Sequence, residues 1–374
     1  MKSTILTLGL LALGLSKAAA QLVAAAPVLA VLPGSGQAGQ QLPAVASTAA
    51  ATPKILRYSD HEPLGGMRTR FIKDVFFAAI EKESAGRLKI EEHWDSQVAT
   101  GYKALHVVGK DSAADMAIVV PEYTASELPL HQLFKSFPIG PTGNKQVNFF
   151  RRVYAEIPAF PAELHQANVV NLFFGTGYPV AFFSTKPLKT LTHIKGGRWR
   201  SASFWHADFL RNAGATPVSM PWGPGIYQAL QAKTLDGLMV NVDGGYMLKV
   251  PEAAPNVLLS KDLWMGHVYL LVMNKDTWNE LATADKEAIQ RAAETAYQTL
   301  GTVMDRSFDA QVADLKKAGA RVRILKTKEL GQWKVATQYV EVQAAWAKQQ
   351  EAKGNNAVGL VLEKVRSMMT QATK

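Results

Sequence analysis

Residues 195–241 decide the fold. They run Lys195-Gly196-Gly197-Arg198-Trp199-Arg200, then a short helical stretch, then Gly214-Ala215-Thr216-Pro217-Val218-Ser219-Met220-Pro221-Trp222. Tyr227-Gln228-Ala229-Leu230-Gln231 follows, and Leu235-Asp236-Gly237-Leu238-Met239-Val240-Asn241 closes the stretch. The pattern is strand, helix, strand, helix, strand. Strands alternating with helices build an α/β sheet, whose ligands sit beyond the carboxyl ends of the strands. Side chains alternate along a strand, so Arg198 and Arg200 share one face. An arginine at a strand end beside loops can grip an anion with its planar fork of donors. As a solvated surface pair, the two arginines need no ligand.

The same alternation extends upstream. Residues 54–59 read as a strand that ends in the loop Asp60-His61-Glu62-Pro63-Leu64-Gly65-Gly66. A helix is expected over 67–84, with Phe71, Val75 and Ala78 on one face and Gly86 as its stop. Residues 88–94 alternate as a half-buried strand. A short helix over 102–108 leads to Met116-Ala117-Ile118-Val119-Val120, an apolar run suited to a central parallel strand. The loops at 60–62, 97–102 and 121–123 then lie at strand ends, where a ligand is expected. Residues 167–175 and 179–184 read as a pair of strands, and 267–273 as another buried strand. Helices are expected over 275–281, 284–319 and 330–349. The helix from Ala284 is long enough to brace two bodies.

The totals bound the function. The chain has 374 residues with 48% hydrophobic and 19% charged, enough for a sizeable core. Its net charge is +10, or +8 without Lys2 and Lys17. No dense Lys/Arg run with interleaved aromatics accompanies that charge, so nucleic acid is not an expected partner. Cysteine is absent, which removes disulfides, thiolate chemistry and a lipidated cysteine anchor. Met1-Lys2, an apolar run over 5–15 and Ala18-Ala19-Ala20 have the layout of a secretory signal peptide over 1–20. Residues 21–52, rich in Ala, Gly, Pro, Gln and Ser, read as a low-complexity linker. Export is expected from the signal, which does not by itself name the destination.

With these residues in view, the chain resembles the periplasmic solute-binding proteins of TRAP (tripartite ATP-independent periplasmic) transporters. The likeness covers nearly all of residues 53–325. It includes Gly86-Arg87-Leu88-Lys89-Ile90, Ser96-Gln97, Asp115-Met116 and Ser184-Thr185-Lys186-Pro187-Leu188-Lys189-Thr190. It is densest at 195–200, 214–218, 227–231 and Asp236-Gly237. The resemblance implies location in the periplasm and a bilobed α/β fold that closes over a small ligand. Lobe I spans 53–176 with parts of 260–374, the core of lobe II spans 177–259, and helices over 275–374 pack across both. It implies that Arg200 holds a substrate carboxylate and that the loaded protein delivers its ligand to a membrane permease. A monomer is expected, with a dimer left open.

The departures from the family pattern shape the expected ligand. Where the family carries a glutamate just before the pair matched by Ile226-Tyr227, this chain has Trp222-Gly223-Pro224-Gly225. Val240 takes the place of a family asparagine, and Asn241 follows one residue later. No second arginine stands in 179–183, which argues against sialic acid. Trp199, Tyr178, Trp222 and Phe204 point to a monocarboxylate with an apolar or aromatic body. The expected ligand-binding set is Arg200, Trp222, Tyr227, Asn241, His61, Glu62, Tyr102 and Tyr178.

Other chemistry finds less support. The eight histidines never fall at the i, i+4 spacing of a helical zinc site. Asp236-Gly237 and Asp243-Gly244-Gly245 are candidate oxygen ligands for a cation, with Asp236 structural in the family reading. No metal, cofactor or catalytic residue is expected. The alternatives are an exported enzyme that uses His61 and Glu62 on a metal, and a ligand-sensing partner of a membrane receptor.

Overall fold

The apolar and alternating runs pair into two sheets. The computed structural model describes residues 52–374 except Pro221. The segments read as signal peptide and linker, up to residue 51, lie outside these described residues. In chain order the strands are β1 (Lys54–Ser59), β2 (Leu88–His93), β3 (Met116–Val119), β4 (Val169–Thr176) and β5 (Val180–Ser184). Then come β6 (Arg198–Ser201), β7 (Thr216–Ser219), β8 (Gly237–Asn241), β9 (Asn256–Leu259), β10 (Val268–Asn274) and β11 (Arg321–Ile324). One sheet has the order β2-β1-β3-β10-β4, the other β11-β9-β5-β8-β6-β7. In the first, β1 runs parallel to β2 and β3, while β10 is antiparallel to both its neighbours. In the second, β6 is parallel to β7 and β8, and β5 is antiparallel to β8 and β9.

The 195–241 stretch folds as its pattern reads. Helices Phe204–Asn212 and Gly225–Gln231 separate β6, β7 and β8. Gly237 begins β8 because nothing larger fits. A Cβ there would lie 2.4 Å from the Phe183 carbonyl oxygen and 2.7 Å from the Trp199 ring.

Two expectations need correction. The strands read as a pair, β4 and β5, do not pair with each other. β4 takes β10 as its partner, whereas β5 lies between β8 and β9 in the other sheet. The link over Gly177–Pro179 therefore crosses between the sheets. The helix expected over 330–349 is interrupted: Thr327–Ala336 and Tyr339–Glu351 are separate, with Gln338 in the left-handed region at φ +47°. A further helix, Val358–Ala372, ends the chain.

Each sheet has an apolar cluster of its own on one face, and a third, continuous cluster draws on both sheets. Helix Met67–Phe71 continues through a π-helical segment, Ile72–Phe77, into Ala78–Glu83. The wider turn buries the consecutive Phe76 and Phe77, which pack on Phe173 and Tyr58 respectively. The 35-residue helix Thr283–Lys317 contacts the first sheet's helices and β4 along one part, and β11 and helix Val242–Met247 along another. The C-terminal helices add a second brace. Trp333 packs edge-on against Phe182 of β5, and Trp346 against Trp205. Gln343, fully buried, donates from its amide to the Ser136 carbonyl at 2.9 Å, tying that helix to the first half of the chain.

Candidate functional site

The carboxyl ends of β1, β3, β6 and β8 converge on one cavity. The β1 end supplies His61 and Glu62. The β3 end supplies Val120, Glu122 and Tyr123. From the second sheet come Arg200, Ala202, Trp222, Asn241 and Asp243, and from the approach to β10 and β10 itself His267 and Tyr269. The cavity encloses about 50 Å³ of free space, room for a few waters. A cavity that holds benzene is about three times larger, so admitting an organic acid requires the walls to part.

Three acidic groups face this space, and two are already committed. Arg68 is buried and forms a two-point pair with buried Asp60, at 2.6 and 3.0 Å. It also reaches Glu62 at 2.8 Å and lies 4.4 Å from the centre of the Tyr269 ring. Burial alone would raise the Asp60 carboxyl, but the adjoining guanidinium outweighs it and holds the group below its ordinary range. Glu122 is paired with buried Lys135 and lies 3.3 Å from His267 Nε2. Burial opposes its charge, yet Lys135 and His267 keep it well below the usual carboxylate range. Burial pushes both His61 and His267 down, so each stays neutral at pH 7.

Asp243 is the third acid and differs from the others. Its side chain accepts from the Asn241 amide, and no basic group pairs with it among the described residues. Burial, with Glu62 nearby, raises it to about 7.

Arg200 is the counterpart among the cations. It is 2% exposed, a buried arginine like Arg68. Its Nε and Nη2 donate to the Met220 carbonyl at 3.0 and 2.7 Å. That fixes the plane of the fork and leaves Nη1 without a protein acceptor among the described residues. No carboxylate pairs with it there either. Burial pushes it down, with only distant help from Glu122 and the Tyr123 and Tyr102 hydroxyls. Arg198, two residues earlier, stays exposed beside Asp236, which also receives Lys186.

Five of the eight expected binding residues line the cavity: Arg200, Trp222, Asn241, His61 and Glu62. Three do not. Tyr102 is 57% exposed and stacks on Tyr123 at 4.3 Å without reaching the cavity, because β2 is an edge strand and its loop stops one strand short. Tyr178 is buried on the link between the sheets, where its hydroxyl pairs with Ser307 of the long helix. Tyr227 lies on the outer side of helix Gly225–Gln231. Its helix buries Ile226 and Leu230 instead, and its hydroxyl donates to Glu252 at 3.0 Å.

The expected aromatic wall changes in the same way. Trp199 is core beside Phe182, and Phe204 is a surface residue on Trp205. Tyr123 and Tyr269 take their place beside Trp222. The loop 121–123 is expected at a ligand-facing strand end, but nothing in the sequence singles out Glu122 within it. His267 and Tyr269 carry no signal because they sit inside a run that reads as a buried strand. His61 and Glu62 belong to the Arg68 network, and among the described residues no three His, Asp or Glu side chains gather as a metal site.

Two mixed sheets that meet over a charged cavity, braced by a long shared helix, make a bilobed α/β solute-binding architecture. The model for bacterial extracellular solute-binding protein, family 7 (DctP), matches residues 70–349, and the chain belongs to that family. A Ruegeria pomeroyi protein named as an ectoine/5-hydroxyectoine-binding periplasmic protein is 24% identical over 210 residues, 54% of this chain and 60% of its own length. The chain thus spans about three-fifths of that curated relative. Among solved structures, a TRAP solute-binding protein of Rhodoferax ferrireducens with copurified benzoate superimposes with a TM-score of 0.74. The two are 20% identical, and the match covers 86% of this chain and 98% of that one. A Bordetella pertussis extracytoplasmic solute receptor binding pyroglutamic acid gives 0.69 at 18% identity, covering 83% and 99%. At such identities the likeness is one of fold.

Proposed function

We propose that this chain is the periplasmic solute-binding subunit of a TRAP transporter. It captures a small organic carboxylate between its lobes and delivers it to a membrane permease. In this reading residues 1–20 direct export and are removed, residues 21–52 are a tether, and the lobes divide near residue 177. The protein binds and releases its ligand unchanged.

One observation carries the reading: Arg200 is buried at the meeting of the two sheets with no carboxylate to neutralise it among the described residues. A buried charge without a counterion costs several kcal/mol, and a fold keeps such a group where a ligand supplies the missing charge. The Met220 carbonyl holds the guanidinium plane in advance, so little ordering is left for binding to supply. Family membership and the carboxylates bound by proteins of the same fold support the same class of ligand. The cavity's small volume fits a closed form that opens to load.

Titration calorimetry after a thermal-shift screen of organic acids tests this. A ligand at about a hundred times its Kd stabilises by about 2.7 kcal/mol. Removing one partner of a buried charge pair costs about 2–5 kcal/mol. Arg200→Ala therefore weakens binding roughly tens- to thousands-fold, with the far-ultraviolet spectrum unchanged. Unaltered affinity in that variant removes Arg200 from the site. Recovery of chemically altered ligand removes the assignment as a binding protein.

A further inference from the structure

The cavity holds one cation and one acid without an ion-pair partner among the described residues, and the two are not each other's partners. Arg200 lacks an acid and Asp243 lacks a base among the described residues, and no ion pair joins them. Of the other charges, Lys135 pairs one to one with Glu122, while Arg68 meets two acids, Asp60 and Glu62, and leaves that cluster with one excess negative charge on the Glu62 side of the cavity. A simple monocarboxylate would neutralise Arg200 and leave Asp243 facing a second negative group in a confined, poorly solvated space. A dicarboxylate would be worse, since its far end would meet Asp243 and Glu62. Like charges brought together in such a site repel strongly.

We propose that the site selects a zwitterion, with its carboxylate on Arg200 and a cationic nitrogen held by Asp243 and Glu62 beside the rings of Trp222, Tyr123 and Tyr269. This rests on the carboxylate reading above and narrows it. Aromatic faces attract ammonium groups through the ring quadrupole, more so where water is excluded. Tyr123 lines the cavity with its ring held by the Tyr102 stack at 4.3 Å. Asp243 is faced by Glu62 from the first lobe, by Tyr178 from the link between the sheets, by Tyr269 of β10, and by Asn241 at the end of β8, with no base among them. Its carboxyl is accordingly raised to about 7 by burial and by Glu62. An incoming cation reverses that environment, so binding near pH 7 releases a proton from Asp243.

The test uses matched pairs that differ only in the charged atom, titrated into the full chain at pH 7. One pair is trimethylammonioacetate and 3,3-dimethylbutanoate. The other is 4-(trimethylammonio)benzoate and 4-tert-butylbenzoate. In at least one pair the ammonium member binds at least tenfold tighter than its carbon isostere, and its heat varies with the buffer's ionisation enthalpy as a proton is released. Asp243→Asn brings the two members of that pair to within threefold and removes the buffer dependence. Equal or tighter binding of the isostere in both pairs overturns the zwitterion while leaving the carboxylate reading intact. Failure of all four probes, together with benzoate, overturns both.

Discussion

Arg68 and Arg200 are both buried guanidiniums within one cleft, yet their surroundings are opposite. Arg68 is gripped by Asp60 at two points, touches Glu62 and lies over Tyr269, and those acids push it well above its ordinary value. Arg200 has only a backbone carbonyl and is pushed down by burial. One is a finished structural pair; the other has no acid among the described residues, the gap that the proposed carboxylate would fill. Burial alone therefore does not single out a candidate binding residue; burial with an unmet charge at a cavity does, and that is the ground on which Arg200 is proposed.

The sharpest way to break the comparison is to remove each arginine in turn. Arg68→Met leaves Asp60 buried and unpaired, and removing one partner of a buried pair costs about 3–5 kcal/mol. Denaturant unfolding of the empty protein reads that loss. Arg200→Met removes a buried charge that no acid compensates, so the empty protein stays within about 1 kcal/mol of the parent or gains stability. Equal losses in the two variants end the distinction between them.

Asp243 supplies the next largest effect and has a definite sign. Its folded value of about 7 lies above the usual carboxylate range, so the folded state holds this proton more tightly than the unfolded chain. Stability from this group is fully present below pH 4 and is lost as pH rises towards 7. Asn cannot ionise, so Asp243→Asn is more stable than the parent at pH 8, by up to about 4 kcal/mol for a roughly thousandfold tighter hold on the proton, and no more stable at pH 4. Thermal unfolding at both pH values reads the difference. A gain that does not depend on pH assigns the effect to packing.

The same contrast explains what could be read from the sequence. The helix and strand pattern of 195–241 was legible because its apolar positions follow simple periods and its glycines punctuate them. Arg200 was legible because a strand-end arginine in that pattern is placed for anions. Its isolation from every acid was not, because that depends on where Asp236 and Glu122 find their own partners, Lys186 and Lys135. Strand order was equally hidden. The loops after β1, β2 and β3 look alike in sequence, but β2 falls at the sheet edge, so the cavity draws on the other two and Tyr123 stands where Tyr102 was expected. The split of β4 and β5 between sheets had the same cause: two adjacent apolar strands carry no local mark of separate partners.

Tyr227 gives the smallest effect and the cleanest test of placement. It lies in the densest part of the family likeness, so a role in the cleft was expected. The helix that carries it points Ile226 and Leu230 into the core. A step of one residue turns a helix by about 100°, and that step takes Tyr227 to the outer side. There its hydroxyl donates to Glu252 and accepts from the Gln231 amide, both exposed contacts. Tyr227→Phe therefore leaves ligand affinity within about twofold and the unfolding midpoint unchanged, since exposed polar pairs contribute about 0–1 kcal/mol in general. Trp222→Ala, at the cavity rim and 40% exposed, weakens binding by about tenfold, the size of one good aromatic contact. If Tyr227→Phe weakens binding as much as Trp222→Ala, the loaded form turns this helix inward, and the closed cleft differs from the one described here.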